Sequence, residues 1–329
     1  MFHTNYFEIQ ANSYYDLGLK EGQLFKQSAI ELINKKKQHK SWDIKLEKSK
    51  RLIGPAEKAF SHLVEELKGY AKGAKVLFSD LWVLSLEDEL SKTDRCTTVV
   101  TNSGKLIAHN EDWNADSKDA ICVLKKSIKD FTILELFYYN TLGGNSISIN
   151  SHGFVQAVNT LVHSDRQIGI PRNVIARWLS ETKSPQQDFN KLSTLQRSAG
   201  YSHTFINLQS KIWNIESTAS RQILLDVTPP FVHTNHYLTE LKKFENNNNL
   251  RGSMDRYEFA HSSLRKSMSL TDLQKLMSNN SKKTRTSVFN KGTIARMIVN
   301  LEKFIAYIWL LRESKKGWIK YNIDFLNRR

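Results

Sequence analysis

Two cysteines in 329 residues are too few for a disulfide framework or a cysteine-rich metal cage. That scarcity suits a reducing compartment and leaves each thiol free for chemistry. No stretch approaches the about 18 consecutive apolar residues of a membrane-spanning helix, so no membrane span is expected. Met1-Phe2-His3-Thr4-Asn5 lacks a charged region followed by an apolar one, which makes a cytoplasmic location the default expectation. The ten histidines show no His-Glu-x-x-His spacing, so no metal site is expected. There is no Gly-x-x-x-x-Gly-Lys phosphate loop and no dinucleotide fingerprint, Gly143-Gly144 being too short to count, so no cofactor is expected either. No internal repeat is present.

Acidic residues are also in short supply, with 33 Asp+Glu against 48 Lys+Arg and a net charge of +15. Residues 1–95 carry 16 basic and 14 acidic side chains and residues 96–329 carry 32 and 19, so the excess lies almost wholly after Cys96. An anionic substrate such as a CoA thioester would be attracted by such a charge. A nucleic-acid partner would need a basic stripe with interleaved aromatics. Lys125-Lys126, Lys282-Lys283-Thr284-Arg285 and Lys315-Lys316 are short and scattered, so they read as solvated surface and no nucleic-acid partner is expected.

What is present concentrates around Cys96. Thr97 to Thr101 is a β-branched run that favours an extended strand. Asn102-Ser103-Gly104-Lys105 is turn chemistry, with Gly104 free to take positive φ. Leu106-Ile107-Ala108 continues as a second strand towards His109-Asn110-Glu111-Asp112. This hairpin brings a thiol at the head of one strand towards carboxylates at the end of the next. Before it the chain reads as helical. Gln23 to Gln38 is one helical segment, Gly73 closes another, and Ser79-Asp80 caps a third running through Leu84 to Leu90. After Cys96 strands are expected at Ile121–Leu124, Phe131–Tyr139, Ser146–Ile149, Phe154–Val158, Ser202–Leu208, Ile212–Ser217, Gln222–Asp226 and Phe304–Leu311. Helices are expected near Pro171 and Ser269, and loops at Asn246–Asn249 and Ser278–Ser281. Hydrophobic residues make up 40% of the chain, enough to fill a core, and the mixture is α+β. Cys122, within Ala120-Ile121-Cys122-Val123-Leu124, is a core cysteine.

Ordered landmarks then add a resemblance. Glu65-Glu66-Leu67-Lys68-Gly69-Tyr70-Ala71-Lys72-Gly73-Ala74, Cys96-Thr97-Thr98 and His109-Asn110-Glu111-Asp112-Trp113 come first. Gly143-Gly144-Asn145 with Asn159-Thr160-Leu161, Gly169-Ile170-Pro171-Arg172, His233-Thr234-Asn235-His236-Tyr237-Leu238 and Ser253-Met254-Asp255-Arg256-Tyr257-Glu258 follow. In this order, from about Tyr14 to near the C-terminus, they resemble the acyl-CoA:6-aminopenicillanate acyltransferase family (peptidase family C45), whose members are N-terminal-nucleophile hydrolases. The resemblance implies a four-layer αββα sandwich with an N-terminal helical segment. Residues 1–95 would be a propeptide or small subunit, and residues 96–329 the catalytic core.

It further implies that Cys96 attacks the carbonyl of Arg95, becomes a new N-terminus, and then works as the thiol nucleophile on a small N-acyl amide or acyl thioester. The two fragments would stay associated. A thiolate is a strong nucleophile, and the freed α-amine would take its proton. Asp112 would orient that amine or hold an arginine. Asn235 would donate to the oxyanion of the tetrahedral intermediate. Arg256 would pair with Asp112 or grip a substrate carboxylate. His109 and Glu111 are placed as substrate-binding positions behind Asp112, with Glu111 on the opposite strand face. Ser253 is placed as a helix cap. Family members often carry Gly where this chain has Arg95. The reading from another class is an inactive binding protein of the same fold, with an intact chain.

Overall fold

The computed structural model describes residues 5–86, 96–113, 115–139, 141–246, 250–282 and 286–327. Arg95, Leu90, Lys283 to Arg285 and Asn247 to Asn249 lie outside the described residues, so the expectations placed on them have no structural counterpart here.

Two sheets form the centre. One joins β1 (Tyr6–Ala11), β4 (Ile121–Ile128), β5 (Phe131–Tyr138), β6 (Ile147–Asn150), β7 (Phe154–Thr160), β8 (Tyr201–Asn207), β9 (Ile212–Ser217) and β10 (Gln222–Asp226) in that spatial order. Its described pairings are antiparallel except β1 with β4, which run parallel. The other joins β2 (Thr97–Thr101), β3 (Leu106–Asp112), β11 (Phe231–His233), β12 (Thr293–Asn300), β13 (Ile305–Leu310) and β14 (Ile319–Asn322) in the order β11-β2-β3-β12-β13-β14.

Side-chain alternation along the strands assigns the layers. Ile121, Val123, Leu134 and Leu136 of the first sheet meet Val100, Ile107, Met297 and Val299 of the second in a buried slab between them. The intervening Cys122, Leu124 and Phe137 face outward onto Leu17 of α1 (Tyr14–Leu24), Leu63 and Leu67 of α3 (Trp42–Ala74), and Val174 of α5 (Arg172–Leu179). On the far side, Val99, Leu106, Ala108 and Ile298 face Ala260 of α7 (Arg251–Ser263) and Leu273, Leu276 and Met277 of α8 (Leu270–Met277). The order helix, sheet, sheet, helix is the expected four-layer αββα sandwich. Residues before Cys96 supply β1 and much of one helical layer. Among the described residues no helix is long and apolar enough to cross a membrane.

Several local expectations need correction. The segment Gln23–Gln38 is not one helix: it breaks at Phe25 (φ −105°, ψ 19°), between α1 and α2 (Lys26–Lys37). Phe25 is buried, stacked on Tyr139 and edge-on to Phe7, so aromatic packing overrides helical continuity. Asp80 does not cap α4 (Phe78–Ser85), because it lies in the first turn and pairs with Lys37 Nζ at 2.7 Å. Gly73 does not close α3. The helix runs through it, and Lys75 takes the left-handed conformation (φ 58°) instead.

Gly73 has another use. Gly18 and Gly22 on α1 face Gly69 and Gly73 on α3, and the two backbones touch. A methyl built on Gly18 would fall 1.7 Å from the carbonyl oxygen of Glu66, and one on Gly22 would fall 2.1 Å from that of Tyr70. From the other side, methyls on Gly69 and Gly73 would fall 2.1 Å from the carbonyls of Tyr15 and Leu19. Only glycine permits this approach.

The same helices bury a charge cluster. Lys126, read from the sequence as surface, is buried on β4 because three carboxylates surround it, Glu135 at 2.9 Å, Glu66 at 3.4 Å and Glu21 at 3.6 Å. Arg177 holds Glu66 at 3.0 Å and Glu181 at 2.7 Å. Four carboxylates thus face two cations. Burial pushes the Glu21 carboxyl up to about 8, Lys126 opposes the shift, Glu66 and Glu135 add to it, and Arg177 opposes. The folded state therefore holds a proton on Glu21 that the unfolded chain releases at ordinary carboxylate pH. By linkage, Glu21 contributes stability at the acidic end of this window, lost as pH rises to about 8. Glu21→Gln removes that dependence. Its urea-unfolding free energy minus that of the parent should rise steadily between pH 5 and 8, a range set by the shift from 4.5 to about 8. A pH-independent difference would contradict a protonated Glu21.

Candidate active site

Cys96 immediately precedes β2, and the β2–β3 register decides what it meets. Thr97 pairs with Asn110 and Thr98 with His109, which sets Cys96 across from Glu111. The turn between the strands uses Asn102, Ser103 and Gly104, all at positive φ. The Cys96 thiol donates to Glu111 Oε1 at 3.5 Å. Glu111 also accepts from Tyr138 OH at 2.8 Å and from Ser146 Oγ, and lies 3.1 Å from His109 Nε2. His109 Nδ1 lies 2.9 Å from Thr98 Oγ1, which donates to Asn159 Oδ1 at 2.7 Å. Thr98 spends its one proton on Asn159, so His109 donates from Nδ1 and turns Nε2 towards Glu111. The result is a buried line from thiol to carboxylate to imidazole to hydroxyl to amide.

Burial pushes the Cys96 thiol well above its ordinary range and the Glu111 carboxylate adds to the shift. The Asp112 N–H and the Arg256 guanidinium oppose it, and the Asp112 carboxylate adds again. In the uncut chain the thiol is therefore protonated. Its exposure is 5%, because strand and neighbours enclose it. Cys122 is likewise raised by burial.

Asp112 points away from this line, as alternation requires. Its carboxylate accepts from Asn290 Nδ2 and Thr293 Oγ1, both at 2.6 Å. Burial pushes Asp112 up to about 7, with the Arg256 charge, Thr293 and Asn290 pulling it down and Glu111 raising it. The sequence reading put Asp112 ahead of Glu111. The register gives direct contact with the thiol to Glu111, while Asp112 reaches Cys96 through charge and through its backbone N–H.

Asn235 sits in the turn after β11, which closes the edge of the second sheet beside β2. Glu216 on β9 fixes this turn. It accepts from His233 Nε2 at 2.8 Å, from the Leu238 N–H at 2.7 Å and from Thr239 Oγ1 at 2.6 Å. Arg256 on α7 donates to Asn235 Oδ1 at 2.6 Å, while Asn235 Nδ2 donates to the Thr160 carbonyl at 3.1 Å. The Arg256 contact orients the amide and leaves Nδ2 with a second N–H to donate. Ser253 does not cap α7. It lies in the first turn, where its Oγ accepts from the Asn235 N–H at 2.7 Å.

Structure thus gathers Cys96, Glu111 and His109 into one contact line and Asn235 with Arg256 into another. Arg256 acts by charge on both Cys96 and Asp112. Sequence reasoning missed Tyr138, Ser146, Thr98, Glu216, Asn290 and Thr293 as partners. The β-branched alternation that places Thr98 beside His109 was the only available signal.

Over 165 aligned residues the chain is 27% identical to the β-alanyl-dopamine/carcinine hydrolase of Drosophila melanogaster, covering 43% of each chain. Over 185 residues it is 25% identical to the 40 kDa form of acyl-coenzyme A:6-aminopenicillanic-acid-acyltransferase of Emericella nidulans, covering 53% of this chain and 51% of that one. The chain spans about half the length of these curated relatives. Among solved structures, a variant of the conjugated bile acid hydrolase from Clostridium perfringens matches with a TM-score of 0.46 at 11% identity, covering 70% of this chain and 92% of that one. Penicillin V acylase from Agrobacterium tumefaciens matches at 0.44 and 10%, covering 66% and 83%. The family model described as acyl-coenzyme A:6-aminopenicillanic acid acyl-transferase matches residues 99–314, opening just beyond Cys96, and the chain belongs to that family.

Proposed function

We propose that this protein is a self-processing cysteine amidohydrolase or acyltransferase acting on a small N-acyl amide or acyl thioester. The observation that carries the reading is the Cys96 thiol at a strand head, hydrogen-bonded to Glu111, in a chain of this family. In the processing step Cys96 Sγ attacks the Arg95 carbonyl carbon and Glu111 takes the thiol proton. Glu111 returns the proton to the nitrogen as the C–N bond breaks, the amine leaves on Cys96, and water hydrolyses the resulting thioester. Cys96 then carries a free α-amine of ordinary pKa near ~8, suited to accept the thiol proton in each later turnover.

Substrate follows the same course. Cys96 Sγ adds to the acyl carbon, Asn235 Nδ2–H and a backbone N–H hold the oxyanion, and the amine or thiol leaves with the proton. Water or an acceptor amine resolves the acyl-enzyme. Arg256 keeps the Asn235 amide aligned, and its positive charge supports the thiolate form.

Intact-mass spectrometry of purified protein tests the first half. Two fragments divided before Cys96 are expected in place of one 38.0 kDa chain. A panel of N-acyl amines, N-acyl amino acids and acyl-CoA thioesters tests the second half, with release of the acyl group and a transient mass increase on the Cys96 fragment expected. An uncut chain inert towards the whole panel would favour the binding-protein reading.

A further inference from the structure

Cys96, His109 and Glu111 bring one sulfur, one nitrogen and one carboxylate within 4.8 Å of one another, all buried. Tetrahedral Zn²⁺, with sulfur at ~2.3 Å and nitrogen or oxygen at ~2.0–2.2 Å, spaces its sulfur and oxygen ligands by about 3.5 Å and its nitrogen and oxygen ligands by about 3.3 Å. Here Sγ lies 3.5 Å from Oε1 and Nε2 lies 3.1 Å from Oε2, so the Glu111 carboxylate turns one oxygen towards the sulfur and the other towards the nitrogen.

Outer contacts are those a metal ligand set requires. Thr98 accepts the Nδ1 proton and fixes the imidazole with Nε2 inward, and Asn159 fixes Thr98. Tyr138 and Ser146 donate to the Glu111 carboxylate and hold its orientation. Charge also balances. A divalent cation would face a thiolate and a carboxylate, so neither buried anion would be left unmatched.

We propose that Cys96, His109 and Glu111 form a binding site for one thiophilic divalent cation, Zn²⁺ being the best match. As the Zn–S, Zn–N and Zn–O bonds form, the Cys96 thiol proton and the proton of the Nε2–Oε2 hydrogen bond leave to solvent. A water completes the coordination; on a chain cut before Cys96 the α-amine would close a five-membered N,S chelate. Linear spacing hides the site, because its ligands face one another across a hairpin. If Cys96 is the nucleophile, as proposed above, the bound cation occupies its lone pairs and silences it.

Co²⁺ added under argon to the metal-stripped full chain is the test, because its absorption reads the ligands without any turnover. One equivalent should produce a thiolate-to-cobalt charge-transfer band with tetrahedral visible bands, and Zn²⁺ should bleach both. Cys122→Ser should keep the band and Cys96→Ala should lose it. The near-isosteric Glu111→Gln and Thr98→Val should weaken binding by about 10-fold or more while retaining the parent's circular dichroism. A pale octahedral spectrum, or a band that survives Cys96→Ala, would overturn the site. One equivalent of Zn²⁺ bound with turnover intact would uphold the site and remove Cys96 as the nucleophile.

Discussion

Cys96→Ala should give a folded, single 38.0 kDa chain with no measurable turnover. Losing a nucleophile outright commonly costs about 10⁶-fold in kcat. The second effect is equally sharp, since without Sγ there is no N-to-S shift and no cut. Alanine loses a buried sulfur whose hydrogen bond runs to Glu111 at 3.5 Å, so the packing change is small and the fold should survive. Intact mass, circular dichroism and acyl release on the best substrate of the panel together decide the matter. A Cys96→Ala chain cut as efficiently as the parent would refute self-processing. A Cys96→Ala chain with parental turnover would refute the nucleophile.

Gly22→Ala should be among the most damaging single methyls in the molecule's helical layer. Helix propensity alone favours alanine by about 1 kcal/mol. The new methyl, however, would sit 2.1 Å from the Tyr70 carbonyl oxygen and 2.8 Å from the Ala74 nitrogen, both backbone atoms that no rotamer change can move. Separating α1 from α3 is the only relief, and it would also pull Glu21 away from Lys126. We expect a loss of about 4 kcal/mol or more, read as a fall of about 8 °C in Tm. Gly54→Ala is the matched control. It lies in the same α3 with no atom of another element within 4 Å of its methyl, so Tm should fall far less there than at Gly22.

What the sequence revealed and what it hid separate by range of interaction. The Cys96 hairpin is legible because its causes are local, a β-branched run followed by residues that tolerate positive φ. Strands β9 and β10 are legible for similar reasons, and their limits agree with expectation to the residue. Strand β1 was missed because its partner β4 lies more than a hundred residues away and pairs in parallel. Strand β12 was missed because Arg296 interrupts its apolar run, and only stacking of Arg296 on Phe289, Trp309 and Trp318 explains an arginine there.

The site divides in the same way. Cys96, Asn235 and Arg256 came from ordered motifs, but their contacts did not. Placing Glu111 rather than Asp112 against the thiol needed the β2–β3 register, since a shift of one residue exchanges which carboxylate faces the thiol. Lys126 shows the limit most plainly. Beside Lys125 it reads as a surface pair, and only the convergence of α1, α3 and β5 carboxylates makes it a buried cation.

Strand β1 carries a consequence for the history of a cut molecule. It forms an edge of the first sheet, while Cys96 opens the second, so the segments on either side of the proposed cut are interleaved through the layers. Before cutting, unfolding and refolding are events of one chain and do not depend on concentration. Afterwards the pieces would still be clamped in the native state, yet once separated they would have to find each other again, and recovery would become second order in protein. Such a cut would act as a ratchet. It would leave the native state in place while turning a reversible unfolding into one that dilution makes permanent, so that the molecule's lifetime would be set by its rate of opening.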